Sequence, residues 1–212
     1  MKALRKSGIL IIITMSLFLT SGTSQLSVAQ QRLEVALGNL GAKNFRSEIT
    51  AWAPKPIVRS EIPGGILTVP PFTPDGWSVA ERKVVDGRRS FTVRSLQTGR
   101  SLHLISDYTQ TRDAMIQSGG GAYLTASFTL PTYPVANYKT LGRRIFDLLG
   151  AETLTQEVLT SNLYSAAAKI PGWGKSVWAG QDEINLEVLI RPGSDATLTH
   201  VYLLAPDLIG DL

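Results

Sequence analysis

The run from Ala122 to Leu130 constrains this chain more tightly than any other. Ala122, Leu124, Ala126, Phe128 and Leu130 alternate with Tyr123, Thr125, Ser127 and Thr129, so apolar and polar side chains take turns. Successive strand side chains point to opposite faces, which commits the segment to a strand with one buried and one solvated face. Such a sheet needs a cover on its apolar side. Tyr138, Leu141, Ile145, Leu148 and Leu149 follow at helical spacing, and Gly150 supplies the C-terminal stop of a helix lying on that sheet.

Further elements fit the same plan. Leu33, Leu37 and Leu40 predict an amphipathic helix over Gln31 to Leu40, stopped by Gly41, and Ile49 to Trp52 a first strand. A β-meander is expected from Trp77 to Val85, Ser90 to Leu96 and Ser101 to Ser106, turning at Asp86-Gly87 and near Thr98-Gly99. Strands are further expected at Thr153 to Leu159, from Ile184 to Ile190, and from Leu198 to Leu204 after a Pro192-Gly193 turn, while Tyr164 to Gln181 is ambiguous. Prolines crowd residues 54–74, where missing amide donors and restricted neighbours predict an irregular connection with an edge strand at Ile66 to Val69. Strands outnumber helices and several are joined by tight turns, so the expected class is α+β, with a curved, largely antiparallel sheet and helices on one face.

The chain opens like an export signal. Lys2, Arg5 and Lys6 precede an apolar run from Ile9 to Leu19, and Ser27-Val28-Ala29 offers small residues to a signal peptidase. The apolar run is short of the roughly 20 residues that cross a bilayer, so cleavage is expected rather than retention as an anchor. The expected organisation is a leader over residues 1–29 and a single domain over residues 30–212, placed in the cell envelope or outside the cell. Three of the 21 Lys and Arg fall in the leader, leaving 18 against 17 Asp and Glu, a net charge of +1. That balance argues against nucleic acid as a partner, because phosphate neutralisation supplies most non-specific affinity. Cysteine is absent, which excludes disulfides, thiol nucleophiles and a lipidated cysteine, and leaves His103 and His200 as the imidazoles.

Catalytic motifs do not emerge. Gly174-Lys175-Ser176 has the tail of a phosphate-binding loop, but Lys169 stands where its first glycine belongs. There is no G-x-S-x-G elbow and no H-E-x-x-H pair, and His103 with Asp107 four residues later makes an incomplete site. No cofactor or metal is implied.

One basic concentration carries functional content. Between Val79 and Ser101, six cations (Arg82, Lys83, Arg88, Arg89, Arg94 and Arg100) outnumber Glu81 and Asp86, for a local charge of +4. Arginine forks suit phosphate and carboxylate, so the meander is a candidate patch for an anionic envelope polymer; the competing reading is a solubilising sheet edge. Trp173 and Trp178 are candidate partner contacts, or else core residues covering the sheet edge.

The exported leader, the helix ending near Gly41, Glu48-Ile49-Thr50-Ala51-Trp52-Ala53, and Glu183 to Val188 followed by a turn and Thr197 to Pro206 together resemble the YwmB-like family of secreted bacterial proteins without assigned activity. The resemblance implies a duplicated fold like that of the TATA-box-binding protein. Departures are the proline-rich stretch after Trp52, where the family has a helix, a shortened segment from Tyr164 to Gln181, and Ala205-Pro206 in place of the more usual Thr-Pro. The functional expectation is a non-enzymatic binding domain for an envelope component or a protein partner. Two alternatives stay open: an envelope-polymer hydrolase using carboxylates such as Asp107, Asp113 and Glu157, and a lipid-surface protein using Gln31 to Leu40.

Overall fold

A computed structural model describes residues 28–53, 77–83, 89–99, 103–117, 119–194 and 197–205. The first helix, α1, covers residues 28–39 and buries Ala29, Leu33, Ala36 and Leu37. Gly41 ends it with φ +65°, a left-handed turn that costs glycine little, and the Ala42 N–H donates to Leu37 O at 2.9 Å. Strand β1 (Lys43–Ala53) extends well beyond the expected Ile49 to Trp52.

Strands β2 (Trp77–Lys83) and β3 (Arg89–Thr98) form the expected antiparallel pair, with Lys83 opposite Arg89. The Asp86-Gly87 turn lies outside the described residues, as do the proline-rich connection and its edge strand at Ile66 to Val69. A third meander strand does not follow. Leu104–Gln117 is a helix, α2, and His103 sits at its first turn, its carbonyl accepting the Asp107 N–H at 2.8 Å. The buried face of α2 includes Leu104, Ile105, Tyr108, Thr109, Arg112 and Met115, which is helical spacing, but polar Thr109 and Arg112 blur its apolar stripe. Gln30 of α1 caps this helix, its Oε1 accepting the Ile105 N–H at 3.1 Å.

Strand β4 (Gly121–Pro131) carries the alternating run and buries the five apolar positions read from the sequence. A 3-10 turn over Val135–Asn137 leads into α3 (Tyr138–Leu149), which Gly150 closes at φ +79°. There follow β5 (Leu154–Leu159), β6 (Tyr164–Ala168), a small hairpin of β7 (Val177–Ala179) and β8 (Asp182–Ile184), then β9 (Leu186–Pro192) and β10 (Leu198–Ala205). The ambiguous Tyr164 to Gln181 segment is thus a strand, a turn and half a hairpin.

Eight strands make one sheet in the order β2-β3-β1-β4-β10-β9-β6-β5, every neighbouring pair antiparallel. The architecture is α+β. Phe45, Ile49, Ala51, Leu124, Phe128, Val201, Leu203, Leu186, Val188 and Ile190 belong to one buried cluster with the apolar faces of the three helices. Fully burying a side chain of this size contributes roughly 1.5–3 kcal/mol, so this face holds the domain together without disulfides. The first half of the sheet runs 2-3-1-4 and the second is a plain meander, 10-9-6-5. This order of the described strands does not confirm the duplicated architecture that the resemblance implies. On the opposite, open face stand Arg46, Glu48, Tyr123, Thr125, Ser127, His200, Tyr202, Glu187 and Arg191, all at least partly exposed.

Candidate functional site

The open face contains a groove of about 370 Å³ lined by Asn44, Arg46, Ser127, Phe128, Thr129, Leu198, His200 and Tyr202. Three neighbouring strands build it through their registers: Arg46 of β1 stands opposite Ser127 of β4, Ser127 opposite Tyr202 of β10, and Thr129 opposite His200. A register shift between Lys43 and Arg46 accompanies a left-handed Asn44, φ +53°. From there the Asn44 Nδ2 donates to Thr129 Oγ1 at 3.1 Å, and the Thr129 hydroxyl donates to Lys43 O at 3.2 Å. These bonds fix one wall.

The other wall is aromatic and cationic. His200 and Tyr202 stack with ring centroids 6.4 Å apart, the Arg191 guanidinium lies 5.0 Å from the Tyr202 ring centroid, and its Nη2 donates to Tyr202 Oη at 2.6 Å. Arg191 is opposite His200 in the β9–β10 ladder. Arg46 lines the groove with hydroxyl, amide, imidazole and apolar groups, Arg191 stands behind Tyr202, and the groove lining contains no carboxylate among the described residues, Glu48 and Glu187 lying elsewhere on the same face. This is donor-rich chemistry suited to oxyanions.

The sequence-derived candidates distribute differently. Arg82 and Lys83 lie on β2, Arg89 and Arg94 on β3, with Arg94 opposite Thr50 of β1 in the ladder. Their side chains lie outside what the structure describes, as do Arg88 and Arg100 altogether. Trp173 is no contact residue: it is 0 % exposed, packed in the core beside Ile170. Its large apolar ring finds that site because Asn185 ties down the turn carrying it, accepting the Ile170 N–H at 2.7 Å and donating to Ile170 O at 2.8 Å and Gly174 O at 3.2 Å. Trp178, on the β7–β8 hairpin, is 71 % exposed.

The carboxylates named for hydrolysis do not form a pair among themselves. Glu157 lies on β5, at the far edge of the sheet, whereas Asp107 and Asp113 lie on α2, which packs on β4 and β1. Strand β5 is four strand steps from β4, about 19 Å at the usual spacing. Asp107 and Asp113 are six residues apart on one helix and so point about 120° apart. Burial pushes the Asp107 carboxyl above its usual range, partly offset by His103, while two cations hold Glu157 down at about 2. Among the described residues no cluster of three or more metal-ligating side chains occurs, and no helix is long and apolar enough to cross a membrane.

Sequence reasoning missed the groove because Arg46, Ser127 and His200 each look like an ordinary solvent-facing strand residue. Their convergence needs the strand order β1-β4-β10. No protein-family model matches the chain, and no curated protein matches it.

Proposed function

We propose that this chain is an exported, non-enzymatic domain that binds an anionic envelope polymer in the groove on its open sheet face. The observation that carries this reading is a donor-rich groove lined by Arg46, with Arg191 behind its Tyr202 and no carboxylate in the lining. Phosphate or carboxylate groups spaced along a polymer would meet the guanidiniums, and Tyr202, His200 and Leu198 offer flat surface to the units between them. The sequence resemblance at Glu48 to Ala53 and from Glu183 to Pro206 is what supports reading the chain as a YwmB-like secreted protein.

Solid-phase binding to purified anionic cell-wall polymer tests this. Wild type should bind with an affinity that falls as salt rises, the doubly substituted Arg46→Glu, Arg191→Glu protein should bind at least tenfold more weakly, and Arg88→Glu, Arg89→Glu should lose less. Equal binding by wild type and the groove variant would sink the reading.

A second reading has its own observation. Trp178 is 71 % exposed, Val158 50 % and Leu159 47 %, and the Gln156 Nε2 donation to Ala179 O at 3.1 Å ties their two elements together. Strand β5 is the edge of the sheet, so this corner suits an extended segment of a protein partner. Capture by the wild-type domain that persists with Arg46→Glu, Arg191→Glu and is lost with Trp178→Ala would favour it.

A further inference from the structure

Arg112 of α2 is 1 % exposed, and its Nε and Nη2 have no hydrogen-bond partner. A guanidinium cannot shed its proton at any pH a protein survives, so burial leaves it charged, and an uncompensated buried charge is strongly destabilising. The two partnerless nitrogens form one edge of the guanidinium, with two parallel N–H vectors. The same molecule shows what that edge is for: Arg143 uses Nε and Nη2 to hold both carboxylate oxygens of Glu157, each at 3.0 Å.

The surroundings of Arg112 are built rather than accidental. Gly174 is exposed, with φ +90°, and a Cβ there would lie 2.5 Å from Arg112 Nη1 and 3.4 Å from Thr109 Cγ2. A side chain at this position would run into Nη1, so the turn packs against the guanidinium only with glycine there. Asn185 pins the turn on both sides, through Ile170 and Gly174. Next to Gly174, the buried Trp173 indole N–H is a further donor without a partner. No described carboxylate forms an ion pair with Arg112, although Asp113 adjoins it in sequence.

We infer that the buried Nε and Nη2 edge of Arg112 is the seat of a small organic carboxylate. The planar two-oxygen group matches the fork, and its charge neutralises the buried guanidinium. This site lies on the helix-covered side of the sheet and is independent of the groove.

Thermal unfolding of the chain without its leader, at pH 7 and constant ionic strength, provides the test, with acetate and propionate as probes and chloride as the control. The Tm of wild type should rise saturably with either carboxylate and not with chloride. Arg112→Met should abolish the response. Arg112→Lys, which keeps the charge but loses the fork, should weaken it at least tenfold, Trp173→Phe should weaken it less, and Arg46→Glu, Arg191→Glu should leave it intact. Should the Arg112 variants fail to fold, 15N spectra of the wild-type arginine side chains decide: one Nε–H resonance should shift saturably with acetate. The inference is overturned if chloride acts equally, if Arg112→Met responds like wild type, or if no arginine Nε–H moves because a carboxylate of the chain itself already holds it.

Discussion

Arg143 on α3 grips Glu157 on β5 with both carboxylate oxygens engaged, Nε to Oε1 and Nη2 to Oε2, each at 3.0 Å. Lys139, one turn earlier, adds a contact at 2.7 Å, and the buried Tyr164 donates its hydroxyl to Oε1 at 3.1 Å. This is how the last helix is fastened to the edge of the sheet.

The grip makes stability depend on acid in a defined window. Hydrogen bonds from Arg143 and then Lys139 hold the Glu157 carboxyl at about 2, against an ordinary 4.5, so between those values the unfolded chain binds more protons than the folded one. The stabilisation is complete above about pH 4.5 and is lost as pH falls toward 2. Glu157→Gln should cost about 1 kcal/mol at pH 7, the scale of a largely solvent-facing pair, and the gap to wild type should close by pH 2. Urea unfolding at pH 7, 4 and 2.5 checks this; a gap that does not change with pH would refute it.

Gly142 and Gly38 should respond to alanine with opposite signs. Alanine in a helix normally gains about 0.5–1 kcal/mol over glycine. Around Gly38 nothing lies within 4 Å of an added Cβ, so Gly38→Ala should gain part of that. At Gly142 the Cβ would land 2.0 Å from Cε1 of Tyr164, a buried ring anchored through its hydroxyl by Glu157. Gly142→Ala should therefore cost about 1–3 kcal/mol, as overpacking does. Thermal melts of the two variants side by side settle the matter, and a stabilised Gly142→Ala would contradict the packing described.

Asn185 is buried and cannot be replaced by its closest isostere. Asn185→Asp swaps the donor facing the Ile170 and Gly174 carbonyls for a carboxylate oxygen, putting like polarity together with no water to screen it. The expected loss is about 2–4 kcal/mol at pH 7. Acidification should return part of it, because a protonated carboxyl can donate one of the two lost bonds. Denaturant midpoints at pH 7 and 4 measure both effects; a variant equally destabilised at each pH would deny the carbonyl contacts their role.

The elements most legible in the sequence are those whose buried faces are mostly apolar. Strand β4 and helix α3 show clean periods of two and of 3.6, and the first helix is marked by Leu33, Leu37 and Gly41. Helix α2 was hidden because Thr109, Thr111 and Arg112 occupy its buried side, so its start at Leu104-Ile105 passed for the end of a strand. Trp173 and Trp178 carry equal local signal, and only the Asn185 clamp, formed across 11 to 15 residues, decides which is core. The groove was least legible of all, since Arg46 and His200 meet through a strand order that no local pattern encodes.

The junction at Ala29 yields the last expectation. Ala29 is 0 % exposed and lies within α1, whose next residue, Gln30, caps α2 through its side chain. A signal peptidase needs an extended, accessible bond, which a residue packed in a helix does not offer. On the proposed export, cleavage after Ala29 would have to precede folding, and Gln30 would become the first residue with its cap on Ile105 still available. Expressed with its leader in a secreting bacterial host, the protein should be recovered outside the cytoplasm with an intact mass beginning at Gln30, whereas the same chain purified folded from the cytoplasm should resist the peptidase. Secreted protein that retains residues 1–29 would show that the leader is an anchor, and rapid cleavage of the folded chain would show that α1 does not protect Ala29.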